Sequence, residues 1–552
     1  MEENTQINNY YIPPEKTLFE TDSRDISAAC AALVCAFLSV IWGFWGAFNI
    51  GWAVSYTVFF VCVTVYLVRT AHMQGEKKRM PIFAFVCGGL SLALSLNFAL
   101  CPDELVHLLS FAVMLALGIV WFIALSGREL SRSDVYFARQ IVSLPLFSVA
   151  KMPKSIRSLL SVKDGKKGGM RKALLGALCA VPVLCAVIPL LIRSDAAFEG
   201  LVGGLFRNLG ESVFKAVLTV IIAPFLISFC IILRRGDKAP REEKAAKGLD
   251  TVFLSAFTGA LNLCYLVYLF SQLAYFFSAF SGILPEGEKS YARYARRGFF
   301  ELCAICGINL CVFYFMLVFA RRREGKMPAV LKGQGVFLSI FTLVITGTAI
   351  SKMVMYIGRY GMTVDRVYSS AFMIFTAVVF AAMLLKCFFE KVPVLRTALV
   401  GAGVVLLLLG CLNTGALTAR YNVSAYRSGK LKSIDMQYIS SLDENGIPYL
   451  IELADDKNAG TAKEARYVLA DVLPIYYTGD YDGNGKLSAN GMSYCYFRPD
   501  GKKVFNAFYE MNIPRYRLYR LADDFLEKNP GFYETASRGR AQDAVDSVKN
   551  ID

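Results

Sequence analysis

The sequence predicts an all-α polytopic membrane protein with about 11 transmembrane helices and a small, mainly helical α+β extracytoplasmic C-terminal domain. Three observations predict it. Runs of roughly 18 or more apolar residues, enough to cross about 30 Å of hydrocarbon as a helix, recur from Ile26 to about Leu412. The 552 residues are 55% hydrophobic and 13% aromatic, with a mean hydropathy of +0.45. The formal net charge is nonetheless +15, and its carriers sit in the connections between apolar runs and in the tail. Basic residues placed between spans point to anionic lipid headgroups and exclude nucleic acid as a partner.

Taken in order, residues 1–25 are polar, contain Pro13 and Pro14, and read as a disordered cytoplasmic N-terminus. The transmembrane bundle occupies 26–413, with spans near 26–47, 50–69, 81–100, 105–125, 173–193, 214–233, 252–279, 299–320, 334–355, 371–389 and 397–413. The first two spans are separated only around Asn49, so they form a tight hairpin. No small-residue cleavage site follows the first span, which is therefore retained as an anchor. The basic cytoplasmic connection 126–172 alternates Val135, Phe137, Ile141, Leu144 and Leu146 with Arg139, Lys151 and Lys154, as segments lying in the membrane interface do.

Orientation follows from lysine and arginine asymmetry. His72–Arg79, Arg128–Lys172, Arg234–Lys247 and Arg321–Lys332 are all strongly basic and fall on one side of the membrane. That side holds roughly 30 basic residues against about 8 on the other, which puts the N-terminus in the cytoplasm and the C-terminus outside. Lys289–Arg297 runs against the rule, being basic yet assigned outside. All but one of the fifteen cysteines lie in or beside the spans, where a thiol packs as a small apolar group. Cys495 stands alone in the tail and cannot close an internal disulfide there. Cys303, Cys306 and Cys311 share a span with no histidine, so they read as packing rather than as a metal cluster.

Beyond the bundle, residues 414–536 read as one small extracytoplasmic domain. It has short helices interrupted at Gly446–Pro448 and Asn458–Gly460, strand character over Tyr494–Phe508, and a helix from about Arg517 to Lys528. Residues 537–552 read as a flexible tail.

Function is sought in four places. Asn262, Gln272, Asn309 and Lys352 are polar groups inside spans, where each must find a partner or water; the alternatives are helix-to-helix hydrogen bonding and, for Lys352, snorkelling to the surface. Arg293, Arg296 and Arg297 precede a helix whose first turn carries Glu301. They read either as an anion site using forked hydrogen bonds or as a headgroup anchor. Asp480, Asp482, Asn484, Lys486 (through its carbonyl) and Ser488 match the opening of a calcium loop, but Gly491 stands where a bidentate glutamate should close it. The site is thus at most a weak calcium site, against the reading of a glycine-rich turn. No catalytic residues are assigned: there are two histidines, His72 and His107, and no nucleophile elbow, phosphate loop or zinc helix.

The runs YARRGFFEL (Tyr294–Leu302), YGMTVDR (Tyr360–Arg366) and ARYNV (Ala419–Val423) resemble the bacterial multipass membrane families grouped as domains of unknown function 4153 and 4173. The resemblance implies a bacterial cytoplasmic-membrane protein without an established activity, and it carries no catalytic residues over. It marks Arg296, Arg297, Glu301, Thr363, Arg366, Arg420 and Asn422 as candidate ligand-binding positions, expected to gather as one polar cluster on the outer face. Three functions follow in order of preference. The first is a non-enzymatic envelope anchor or receptor, its tail facing an envelope protein or glycan. The second is a transporter or channel with a polar pathway, and the third an enzyme acting on lipid or glycan.

Overall fold

The computed structural model describes residues 19, 21–44, 49–71, 80–131, 133–160, 187, 209–235, 249–281, 299–320, 327–389, 391–477, 496–497, 503–504 and 512–549. Among these, nine helices are long and apolar enough to cross a membrane. The expected span at 173–193 lies outside the described residues except for Val187, and that at 299–320 is a helix whose apolar stretch is Ala304–Leu317.

Asp22 starts the first helix, α1 (Ser23–Leu38), through a capping box in which its carboxylate accepts from Arg24 and Asp25 N–H groups while Asp25 answers to the Asp22 N–H. The segment expected to be disordered is therefore ordered from Thr21 onward, and the Thr21 hydroxyl donates to the Ser158 carbonyl at 2.6 Å. A π-helical segment (Ser39–Phe44) extends α1, and α2 (Ile50–Ala71) returns beside it. Helices α3 (Ile82–Ser95), α4 (Asn97–Leu100) and α5 (Glu104–Leu125) follow. Then come the connection helices α6 (Asp134–Ala150) and α7 (Met152–Leu160), and α8 (Leu209–Arg235). Together they enclose a core containing Phe60, Phe98, Met114, Leu117, Phe137 and Leu233. Helix α6 buries Phe137 and Leu144 and leaves Val142, Leu146 and Val149 outward, as a helix seated in an interface would.

A second core, around Phe313, Met316, Phe341, Ile345 and Phe380, lies among α9 (Thr251–Ser281), α10 (Phe299–Phe319), α11 (Ala329–Tyr360) and α12 (Val364–Phe388). Helix α13 (Val394–Leu412) joins the halves by packing on α3, α5 and α12. Large apolar side chains such as Ile82, Leu108, Val252, Val267 and Phe270 face outward. So much exposed hydrocarbon is stable only against lipid.

The two ends of the bundle differ. At the near face, Arg234 ending α8 meets Asp22 and Asp25 at the start of α1. Asp134 starting α6 meets Lys386 near the end of α12 at 2.7 Å and accepts the Leu395 N–H at the start of α13. The four basic connections leave from the ends of α2, α5, α8 and α10, all at this face. Leu159 packs beside Ile231 near the end of α8, whereas Leu209 begins that helix, so the residues flanking the expected fifth span stand at opposite faces.

At the far face, Asn413 adopts φ +49°, caps α14 (Thr414–Arg427) and turns the chain from α13 into a third core. That core, with Ala419, Ile439, Leu450, Leu469 and Phe525, is built by α14, α15 (Met436–Ser440), a 3-10 turn (Asp443–Asn445), α16 (Ile447–Leu453), α17 (Ala459–Tyr477) and α18 (Ile513–Lys528). Pro514 in the first turn and an Asn512 cap start α18 ahead of the expected Arg517. Tyr496–Phe497 and Lys503–Val504 pair antiparallel, in keeping with the expected strand character.

The other end of the chain also differs from expectation. Residues Phe532–Lys549 form α19 rather than a flexible tail from 537. Phe532 and Ala536 are buried, Arg540 pairs with Asp471 at 2.6 Å, and Tyr467 donates to Asp543 at 2.8 Å. The partners that order this polar helix lie about seventy positions away along the chain, beyond the reach of local patterning.

Candidate functional site

The far-face seam between bundle and C-terminal helices holds two of the three sequence motifs. Gly361, at φ +81°, ends α11, and Thr363 caps α12 with its hydroxyl toward the Arg366 N–H. Asn422 on α14 clamps the turn between them: its Oδ1 accepts the Met362 N–H at 2.7 Å and its Nδ2 donates to the Met362 carbonyl at 2.8 Å. Arg366 donates to the Gly361 carbonyl and lies 4.1 Å from the Tyr356 ring centroid. The Tyr438 hydroxyl accepts the Val364 N–H, and burial pushes its phenol above the usual range. Thr363, Arg366 and Asn422 are thus brought together, with Asn422 and Thr363 committed to holding the turn.

This clamp forms one wall of a cavity of about 410 Å³, within the range of ligand pockets. Four cations line it, Arg359, Arg366, Lys430 and Lys432, against one carboxylate, Asp435, a net of +3. Asp435 spends an oxygen on the Tyr438 N–H that starts α15. The sequence reading missed Arg359, Lys430 and Lys432; the usable signal was the Gly429-Lys-Leu-Lys432 stretch immediately after the ARYNV motif.

The remaining candidates lie elsewhere. Arg420 is two residues from Asn422, hence on another helix face, and lines a separate 350 Å³ cavity with Asn413, Glu444 and Arg517. There Glu444 is nearly buried and pairs with Arg515 at 2.6 Å. Glu301 is exposed in the first turn of α10, while Arg293, Arg296 and Arg297 lie outside the described residues. Among its described members the expected cluster is divided: Thr363, Arg366 and Asn422 line one cavity, Arg420 another, and Glu301 neither.

Asn309 is fully buried and engaged on both sides, accepting from Tyr265 at 2.6 Å and donating to Thr342 at 2.9 Å. Asn262 donates to the Gln334 carbonyl at 3.1 Å, and the Gln334 side chain reaches Thr258 and Ser255. Lys352 is half-buried in the last turns of α11; Gln272 lies on α9, but its side chain is outside the described residues. The spacing read for packing at Cys306 agrees with its buried Sγ beside Thr346. No group of three metal-ligating side chains occurs among the described residues. The calcium-like loop, Asp480, Asp482, Asn484, Lys486 and Ser488, lies outside them.

The largest of these cavities, about 590 Å³ between α17 and α19, is also charged, but its charges cancel. Arg466 pairs with Asp455, Lys463 with Asp543, and Arg427 with Asp456 and Glu452. The seam cavity differs in keeping a net positive charge among the described residues.

Bundle and seam define a multipass helical membrane protein with a helical unit seated on one end. The family model described as a domain of unknown function (DUF4153) matches residues 84–453, about two thirds of the chain, and the chain belongs to that family. Neither a curated protein nor a solved structure is similar to it. The matched segment runs from α3 through α16 and contains the whole seam cavity.

Proposed function

We propose that this protein is a non-enzymatic anchor and receptor of a bacterial cytoplasmic membrane, which holds its C-terminal helical domain on the extracytoplasmic surface for an envelope protein or glycan. The observation that carries the reading is the latch at the far face. Tyr368 on α12 donates to Asp103 at the start of α5, and Asp103 also accepts from Thr414. Asn413 donates to Asn445 at 2.6 Å, and Asn512 reaches Asn49 at 3.4 Å. Asp103, Asn413 and Asn49 thus tie the bundle to the C-terminal helices at three places. Orientation rests on the four basic connections at the near face, by the rule that cytoplasmic connections carry the excess of Lys and Arg. The spans favour an anchor over a carrier because Asn309 and the Asn262 amide N–H are spent on helix-to-helix hydrogen bonds.

The test is cysteine labelling in intact cells, in a Cys495→Ser background. Ser441→Cys, exposed in the C-terminal domain, should react with a membrane-impermeant maleimide. Ser133→Cys, exposed at the near face, should react only after lysis. The reverse pattern overturns the orientation.

A further inference from the structure

We infer that the seam cavity binds a phosphate ester, and that its position favours the headgroup of an anionic phospholipid as the source. The inference deepens the receptor reading and rests on it only in placing the cavity at a membrane surface. Arg359, Lys430 and Lys432 are exposed and have no ion-pair partner among the described residues, and their mutual repulsion, screened by water, is relieved further when an anion joins them. Arg366 is already positioned: its Nη1 is held by the Tyr360 and Gly361 carbonyls and its plane by Tyr356, and its other guanidinium donors have no partner among the described residues. The N-terminus of the 25-residue α12 opens onto the same space and adds positive potential.

Depth selects the source. Arg359 and Tyr360 end a 32-residue apolar helix, and Tyr356 and Tyr360 in its last turns are of the aromatic type enriched where spans meet the headgroup layer. Met362, Leu431 and Ile434 give the cavity apolar wall as well as charge. A glycerophosphate headgroup with its chains beside α11 satisfies all of these together. The balanced 590 Å³ cavity between α17 and α19 has apolar wall too, but its charges cancel and no membrane-spanning helix lines it.

The full chain in neutral detergent, where both faces are open to solvent, is titrated with phosphatidylglycerol, phosphatidylcholine or inorganic phosphate. Bound ligand is counted by native mass spectrometry and the melting midpoint followed in parallel. Phosphatidylglycerol should bind at one per chain and raise the midpoint, and phosphatidylcholine should not. Lys430→Ala with Lys432→Ala should weaken binding roughly 30-fold, at about 1 kcal/mol per basic residue near an anionic headgroup. Arg359→Gln should weaken it about 5-fold. Lys457→Ala with Lys528→Ala, removing two charges outside the cavity, should leave affinity unchanged. Equal midpoints of the variants without ligand verify that the seam still folds. If inorganic phosphate alone binds and depends on the cavity lysines, the phosphate site stands with a soluble source. Binding of neither ligand, or phosphatidylglycerol binding indifferent to Arg359, Lys430 and Lys432, overturns the proposal whatever the labelling experiment says of orientation.

Discussion

Replacing Gly361 by alanine tests whether the α11–α12 turn and α14 are one clamped unit. The backbone there has φ +81° and ψ 179°, a region open essentially only to glycine. Forcing alanine into it costs about 1–3 kcal/mol. The added Cβ would also stand 2.7 Å from Asn422 Oδ1 and 3.3 Å from Leu431 Cδ1. To make room the amide must withdraw, losing both hydrogen bonds to Met362 at about 0.5–1.5 kcal/mol each. The expected total for Gly361→Ala is therefore about 2–6 kcal/mol. Asn422→Ala alone removes the same two bonds without the strain. In the double variant the bonds are lost once, so its destabilisation should fall short of the sum of the singles by about 1–3 kcal/mol. Melting midpoints of the purified full chain in detergent measure all three. Strictly additive effects, or wild-type melting of Gly361→Ala, would refute the clamp.

At the near face, Arg234→Gln should destabilise by about 3–5 kcal/mol, because the Asp25 side chain is fully buried and Arg234 pairs with it at 2.6 Å. Hydrogen bonds from Arg234 hold the Asp22 carboxyl well below the usual carboxylate range against the opposing effect of burial. Its share of stability is thus complete above about pH 5 and is lost as pH falls through the lowered folded value. The gap between wild type and Arg234→Gln should accordingly be flat from about pH 5 to 8 and narrow below about pH 4 in melting experiments. Lys386→Met should cost about 3–5 kcal/mol by leaving nearly buried Asp134 unpaired, and adding Asp134→Asn should recover much of it, since an amide can still accept the Leu395 N–H. Calcium at millimolar levels, as used by weak extracellular modules, should leave the melting of the full chain unchanged, because Gly491 lacks the closing carboxylate. A calcium-dependent rise reversed by chelator would show the loop is completed from elsewhere.

Much of the fold was legible because crossing lipid is a local demand. Nine of the eleven expected spans, and the basic stretches between them, could be read from windows of about 20 residues. The site was legible only in part. Thr363, Arg366 and Asn422 were marked as a cluster and do meet, in the wall of one cavity. Asn422 has both its amide groups on Met362, and the uncommitted charge beside them belongs to Arg359, Lys430 and Lys432. Arg420 was grouped with Asn422 although two positions along a helix turn a side chain to another face. The Asp22–Arg234 pair spans 212 positions and the Asn97–Leu406 hydrogen bond 309, separations at which no periodicity links the partners.

The sequence alone determined that this is a multipass membrane protein, because the free energy of placing about 20 residues in hydrocarbon depends on those residues and hardly on their neighbours. The tertiary structure decided which polar groups are consumed as ties and which remain available. Hydrogen bonds and ion pairs depend on distances of about 3 Å between groups that only packing brings together. Of the positive charges lining the seam cavity, Arg359, Lys430 and Lys432 are the ones with no ion-pair partner among the described residues.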